Sequence, residues 1–247
     1  MKIIISPAKK LTNQDISISN PSAIQFLEET KYLVDQLRNY TSDDLKKLMG
    51  LSDNLAKLNF DRYQQWDLTS KQVNPAIYIF QGDVYKGLRA EEFSEHELDF
   101  AQANLRIISG LYGILKPLDL VFPYRLEMGT TIQTKVGNNL YEFWGDKLNR
   151  ILSSEMESQE PLVNLASNEY SKALKLESMS QQIITPVFKD YKNGELKVIS
   201  FFAKKARGEM ANFIIKNGIT NSEDIKLFSN DGYVFSEYND GEILFTR

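Results

Sequence analysis

Lys2-Ile3-Ile4-Ile5-Ser6-Pro7-Ala8-Lys9-Lys10 opens the chain with a strand-like apolar run that breaks at once on Ser-Pro. Consecutive β-branched residues without polar alternation suit a short buried strand, and the polar, cationic loop emerges where that strand ends. Pro161-Leu162-Val163-Asn164-Leu165 repeats the arrangement and feeds a helix that begins near Ser167 or Asn168. Strand, polar loop and helix in recurrence predict an α/β fold of mixed α+β character: a single compact domain over residues 1–247, with a central mixed sheet and flanking helices.

Outward from these two runs, Ser22 to Tyr40 carries Phe26, Leu27, Leu33, Val34 and Leu37 near a 3.6-residue period, which predicts a helix with Ser22 as its N-cap. Ser42 to Met49 and Asp53 to Phe60 read as a shorter helical pair. Ala76 to Phe80, between Pro75 and Gly82, reads as a buried strand leading into Gly82 to Leu88, and Glu97 to Ile108 as a helix. Asn193-Gly194 marks a hairpin between Ile183 to Tyr191 and Glu195 to Phe202, because both turn residues accept positive φ. A helix from about Ala203 to Asn217, closed by Gly218, and a second hairpin around Asn239-Asp240-Gly241 complete the pattern.

The 247 residues include no cysteine, which excludes disulfides, thiolate catalysis and cysteine-ligated metals. The one histidine, His96, lies in the acidic stretch Glu91 to Asp99 and reads as a solvated helix residue. No metal motif or cofactor fingerprint is present, so neither a metal nor a cofactor is expected. No apolar run approaches the roughly 18 residues of a membrane span, and no secretion signal is visible, so a cytoplasmic protein is expected, with no membrane partner and no obligate protein partner. The formal charge of −4, from 29 basic and 33 acidic residues, confines any polyanion site to a local patch. Lys197 to Lys216 supplies one, with five basic residues against Glu209.

Four constellations carry chemistry. Leu45 to Leu58 resembles a helix-hairpin-helix element within residues 42–60: Gly50 and Leu51 fit, Ser52 stands where a second glycine is usual, and Ala56 falls in place. Backbone N–H groups opening the second helix, near Asn54, would meet a phosphate, and Lys46, Lys47 and Lys57 add charge. The competing reading is a plain αα-hairpin capped by Ser52 or Asp53. Phe201 to Gly208 places Lys204, Lys205 and Arg207 in what reads as a first helical turn, where cations oppose the helix dipole unless an anion sits among them. Polar groups at strand ends, Ser6 and Lys9, then Asp83, Tyr85 and Lys86, then Ser167, Asn168, Glu169, Tyr170 and Lys172, suit a ligand cleft. Arg125 and Glu127 read as a structural ion pair, and Tyr141 to Gly145 as core.

Taken in order, Ser6 to Lys9, Gly82 to Leu88, Leu105 to Pro117, Tyr124 to Gly129, Phe143 to Gly145, Asn164 to Tyr170 and Ala203 to Gly208 resemble the YaaA family of peroxide stress proteins along essentially the whole chain. The resemblance implies a cytoplasmic protein that protects bacterial cells from hydrogen peroxide by limiting unincorporated iron and iron-driven DNA damage. It also implies a distinct α/β fold with a positively charged groove, a helix-hairpin-helix element and duplex DNA as partner.

Two readings follow. In the first, Lys46, Lys47, Gly50, Ser52, Asn54 and Lys57 contact DNA backbone while Lys204, Lys205 and Arg207 line an anionic groove. In the second, an enzyme acts on a nucleic acid base or phosphorylated small molecule, with Asp83 or Glu169 as acid-base and Lys9, Lys204 or Lys205 as nucleophile or anion clamp. Direct iron sequestration by carboxylates and tyrosines ranks last, for want of a ligand cluster in the sequence.

Overall fold

The structure is a computed structural model that describes residues 1–12, 18 and 20–247. β1 (Lys2–Ile5) is followed by the two-residue β2 (Lys10–Leu11) and then by α1 (Leu27–Arg38), α2 (Ser42–Met49) and α3 (Asp53–Gln64). The chain continues through β3 (Asn74–Pro75), α4 (Ala76–Ile79), β4 (Phe80–Gln81), α5 (Asp83–Leu88) and α6 (Glu95–Asn104). β5 (Leu105–Ser109), β6 (Gly113–Leu115), β7 (Leu120–Val121), α7 (Leu140–Trp144), α8 (Lys147–Ser154), β8 (Leu162–Leu165) and α9 (Asn168–Ser171) come next. β9 (Ile183–Lys192), β10 (Glu195–Lys197), α10 (Ser200–Lys216), β11 (Val234–Asn239) and β12 (Glu242–Thr246) complete the order.

An eight-stranded sheet in the order β11-β12-β9-β8-β1-β5-β6, with β10 paired to β9, forms the centre of this α/β fold. β1 lies between β5 and β8, parallel to both, with Ile5 opposite Ile107 and Leu165. Burial on both faces explains the unbroken isoleucines, since Ile3, Ile4 and Ile5 are fully buried. β9 is parallel to β8 and β12, whereas β6 and β11 pair antiparallel, so the sheet is mixed as expected. The C-terminal ends of β1 and β8 therefore emerge side by side.

Several elements differ from the sequence reading. Ser22 is not an N-cap: it bridges to Asp119, whose carboxylate accepts its hydroxyl at 2.6 Å, and the helix starts at Leu27. Ala76 to Phe80 is one turn of helix between two-residue strands, because β3 and β4 end after pairing with β7 and β2. The predicted helix from Glu97 to Ile108 stops at Asn104, and Leu105–Ser109 is the fully buried strand beside β1. Its start is fixed by a capping box, Ser94 with Glu97, and His96 is exposed as expected. The second arm of the Asn193-Gly194 hairpin is only β10, and α10 begins at Ser200, so Lys204, Lys205 and Arg207 lie beyond the first turn.

α10 packs on α5 through glycines. A Cβ on Gly208 would collide with the Val84 carbonyl oxygen, and one on Gly87 with the Lys205 carbonyl oxygen, so only glycine permits this approach. Trp144 is buried and donates its indole N–H to the Gly110 carbonyl at 3.0 Å, which places Tyr141 to Gly145 against the core. At the C-terminal end of the sheet, buried Asp190 accepts from the Tyr233 hydroxyl at 2.9 Å and Arg247 Nε at 2.6 Å.

Candidate functional site

The loops leaving β1 and β8 are tied to each other. Ser6 Oγ accepts the Ser167 backbone N–H at 2.8 Å, the two hydroxyls lie 3.3 Å apart, and the buried Tyr85 hydroxyl donates to the Ser6 carbonyl at 3.1 Å. β2 pairs Lys10 with Gln81, which draws the loop after β1 against the turn that starts α5. Gly82 occupies φ +154° at that turn, allowing the chain to swing Asp83 into the first position of α5.

Between these segments and α10 opens a cleft of about 310 Å³. Its walls are Ser6 to Lys10, Gln81 to Tyr85, then Ser167, Glu169 and Tyr170, with Lys204 and Arg207 from α10. Of the strand-end groups expected to converge, Ser6, Lys9, Asp83, Tyr85, Ser167, Glu169 and Tyr170 line one cavity with two of the three α10 cations, whereas Lys86, Asn168 and Lys172 do not line it. Lys205 does not line it; its ammonium pairs with Glu209 and Asp231, each at 3.1 Å, and those partners raise its pKa.

The cations differ in availability. Lys9 is held by Glu127 at 2.5 Å, and Glu127 also pairs with Arg125 at 2.9 Å, the ion pair anticipated in that segment. Arg207 makes no hydrogen bond or ion pair among the described residues, and desolvation alone lowers its pKa. An uncompensated, partly desolvated guanidinium carries a cost that an anionic ligand would relieve. Lys204 and Lys10 are exposed at the same cleft, likewise unpaired among the described residues. Of the carboxylates there, Asp83 pairs weakly with Lys86 at 3.5 Å, and Glu169 accepts the Gly129 N–H at 3.0 Å. Burial raises the Tyr85 and Tyr170 pKa values well above the ordinary 10, so both are neutral phenols able to donate hydrogen bonds.

Lys10 and Gln81 were not singled out from the sequence; two-residue strands leave no periodicity to read, and only their pairing brings them to the cleft.

A second hollow, of about 240 Å³, shares Glu169 with the cleft and is bounded by Leu48 and Met49 of α2 with Glu127, Gly129 and Thr130. Glu169 is thus common to the cleft and to this hollow, which the helical hairpin borders and whose charged lining residues are Glu127 and Glu169. Within the hairpin, Gly50 takes φ +59° as the C-cap of α2, and its N–H bonds the Lys46 carbonyl. Ser52, at φ −71°, is the N-cap residue of α3 and occupies a conformation open to any side chain. Its hydroxyl caps nothing, and Ser52, Asp53 and Asn54 are exposed. Lys46 pairs with Asp53 at 2.5 Å across the turn, which raises the lysine pKa. Lys47 and Lys57 are exposed and unpaired among the described residues.

Residues 1–239 match the sequence profile of the peroxide stress protein YaaA family. A UPF0246 protein of Aliivibrio fischeri strain MJ11 is 51% identical over 242 residues, covering 96% of this chain and 93% of that protein. UPF0246 proteins of Teredinibacter turnerae and Saccharophagus degradans are 50% and 48% identical over 254 aligned residues, each covering 100% of this chain and 99% of the relative. With matches of this extent and identity, the chain belongs to the peroxide stress protein YaaA family.

Proposed function

We propose that this member of a peroxide stress family protects the cell as a cytoplasmic DNA-binding protein, gripping duplex backbone without strong sequence preference and limiting iron-driven DNA damage. The observation that carries the reading is the exposed opening of α3. Its first-turn N–H groups have no side-chain cap and stand beside the unpaired Lys47 and Lys57, the arrangement a phosphate needs. Gly50 and Ser52 shape the turn, Asn54 adds a polar contact, and Lys46 joins in as it exchanges Asp53 for phosphate. Lys204 and Arg207 extend the cationic track into the groove, while Lys205 steadies α10 through its own ion pairs. Fluorescence anisotropy of a mixed-sequence duplex at several salt concentrations tests this. Saturable binding that weakens steeply with salt supports it, and no binding at low salt overturns it.

A second reading, an enzyme acting on a base or a phosphorylated small molecule, is favoured by Arg207 standing unpaired in a cleft that also holds Asp83 and Glu169. Here the carboxylates exchange protons with the substrate, and Lys9, Lys204 or Arg207 holds its anion. Asp83→Asn and Glu169→Gln should then abolish peroxide protection in cells while leaving duplex affinity unchanged. Full protection by both variants removes the reading.

A further inference from the structure

α10 presents Phe201, Lys204 and Arg207 at three-residue spacing, so each is a surface neighbour of the next along the helix. Lys204 and Arg207 line the cleft, and Phe201 precedes them by one turn. Phe201 also lies seven residues, two turns, before Gly208, the residue seated on Val84 of the cleft wall, so it shares that helix face. Phe201 stands outside the lining of the cleft itself; the residue is 52% exposed and its ring is T-shaped to Phe202 at 5.6 Å, which leaves aromatic surface open next to two cations. Phe202, its neighbour, is occupied by the Arg247 guanidinium 4.5 Å from the ring centroid.

The start of α5, packed on α10, and the loop after β8 carry the other half of the specificity. Asp83 and Glu169 are acceptors, and a bare oxyanion or a run of sugar-phosphate backbone gains nothing from carboxylates. A ligand that suits both halves has an anionic end for Arg207 and Lys204, hydroxyl or amino donors for Asp83 and Glu169, and a flat ring for Phe201. The cavity, at about 310 Å³, is at the lower end of the roughly 300–1,000 Å³ of small-molecule sites. Along α10, the six steps from Phe201 to Arg207 rise about 9 Å, a span matched by one nucleoside phosphate.

From this arrangement we infer that the strand-end cleft binds a single nucleoside monophosphate unit, its phosphate on Arg207 and Lys204, its hydroxyl and amino donors on Asp83 and Glu169, and its base against Phe201. The inference deepens the enzyme reading, on which it rests for any chemistry but not for binding. The unit is either a free nucleotide or the phosphorylated end of a strand, which present the same groups.

The test is calorimetric titration of the intact protein with adenosine 5′-monophosphate, adenosine and inorganic phosphate. The monophosphate should bind saturably and at least about tenfold more tightly than either fragment, and Arg207→Gln should weaken it by at least about tenfold with the melting temperature kept. Phe201→Ala, a surface change, should weaken the monophosphate about fivefold or more while leaving competition by inorganic phosphate unaltered. A monophosphate that binds no better than phosphate, or equally well to Arg207→Gln, overturns the site. A short single strand with and without a 5′-phosphate separates the two sources: phosphate-dependent binding of the strand identifies a strand end, and binding of the monophosphate alone identifies a free nucleotide. Cellular protection by Asp83→Asn and Glu169→Gln is read beside the monophosphate affinity of each variant, because both carboxylates also accept the ligand's donors. Tight monophosphate binding with full protection rejects the enzyme and keeps the site; lost protection without monophosphate binding does the reverse.

Discussion

Ser6 Oγ and the Ser167 backbone N–H, 161 residues apart in sequence, lie 2.8 Å apart and hold the ends of two parallel strands in register. Ser6 is buried, so Ser6→Ala leaves that N–H without its acceptor and should cost about 1–3 kcal/mol in urea denaturation. Amide exchange at Ser167 should accelerate well beyond that of β1 itself. Unchanged protection at Ser167 would mean that the strand ends are held by other contacts.

Asp53 holds Lys46 at 2.5 Å and, on the proposed DNA-binding reading, would compete with phosphate for it. Asp53→Asn removes one negative charge from the opening of α3 and frees the ammonium, so duplex affinity should rise severalfold at low salt and converge with the parent at high salt. The double variant Lys47→Ala/Lys57→Ala should act oppositely, lowering the salt slope by about 2, near 0.9 per lost phosphate contact. Anisotropy at several salt concentrations measures both, and an unaltered slope would remove the hairpin from the interface.

Acid should weaken the fold. The Lys205 ammonium, followed by Arg247, holds Asp231 below the ordinary 3.8; the Thr41 hydroxyl and backbone N–H do the same for Asp44, and the Ser94 N–H and hydroxyl hold Glu97 below 4.5. These carboxylates bind protons more weakly folded than unfolded, so their stabilisation is present above their unfolded values and is lost as pH falls through the folded ones. Desolvation raises Asp119, whose protonation favours the folded state and opposes the trend. Asp67, Asp146 and Glu160 are lowered as well, so with six carboxylates against one among the described residues the melting temperature should stay level near neutrality and fall below about pH 4.5. Ser94→Ala should flatten the acid limb, and a parent protein equally stable at pH 3 and 7 would contradict the assignment.

Asp190 joins Tyr233 and Arg247 at the far side of α10. Asp190→Ala strands the buried Tyr233 hydroxyl but leaves Arg247 paired with Asp231 at 2.8 Å, so the cost should be about 1–3 kcal/mol, that of a buried donor left without its acceptor. Asp190→Asn, which keeps a hydrogen-bond acceptor, should lose less. Equal melting temperatures for the two variants would show that charge rather than hydrogen bonding dominates.

The parts of this fold legible in the sequence are those with a local signature. Ile3-Ile4-Ile5 and Leu162 to Leu165 read as strands because a both-sides-buried strand is continuously apolar, and Asn193-Gly194 and Gly50 took the left-handed backbone that their residue types suggest. The same continuity misled at Leu105 to Ile108, which extends the apolar character of α6 without a break, and at Ala76 to Phe80, where five apolar residues fit a turn of helix as well as a strand. The cleft was legible as a set of polar strand ends but not as a shape. That Arg207 faces it unpaired while Lys205 turns to Asp231 depends on the phase of α10, and starting the helix three residues late rotates the assignment by most of a turn.

Gly87 and Gly208 have a consequence for what the cleft of this chain can admit. With bare peptide groups touching at the crossing of α5 and α10, the separation of Asp83 from Arg207 is metered by backbone thickness and works as the fixed jaw of a caliper. No exchange of side chains at that crossing can open or narrow the mouth without prising the helices apart. Adjustment of what fits is left to the movable jaw, the loops from Ser6 to Lys10 and Ser167 to Tyr170.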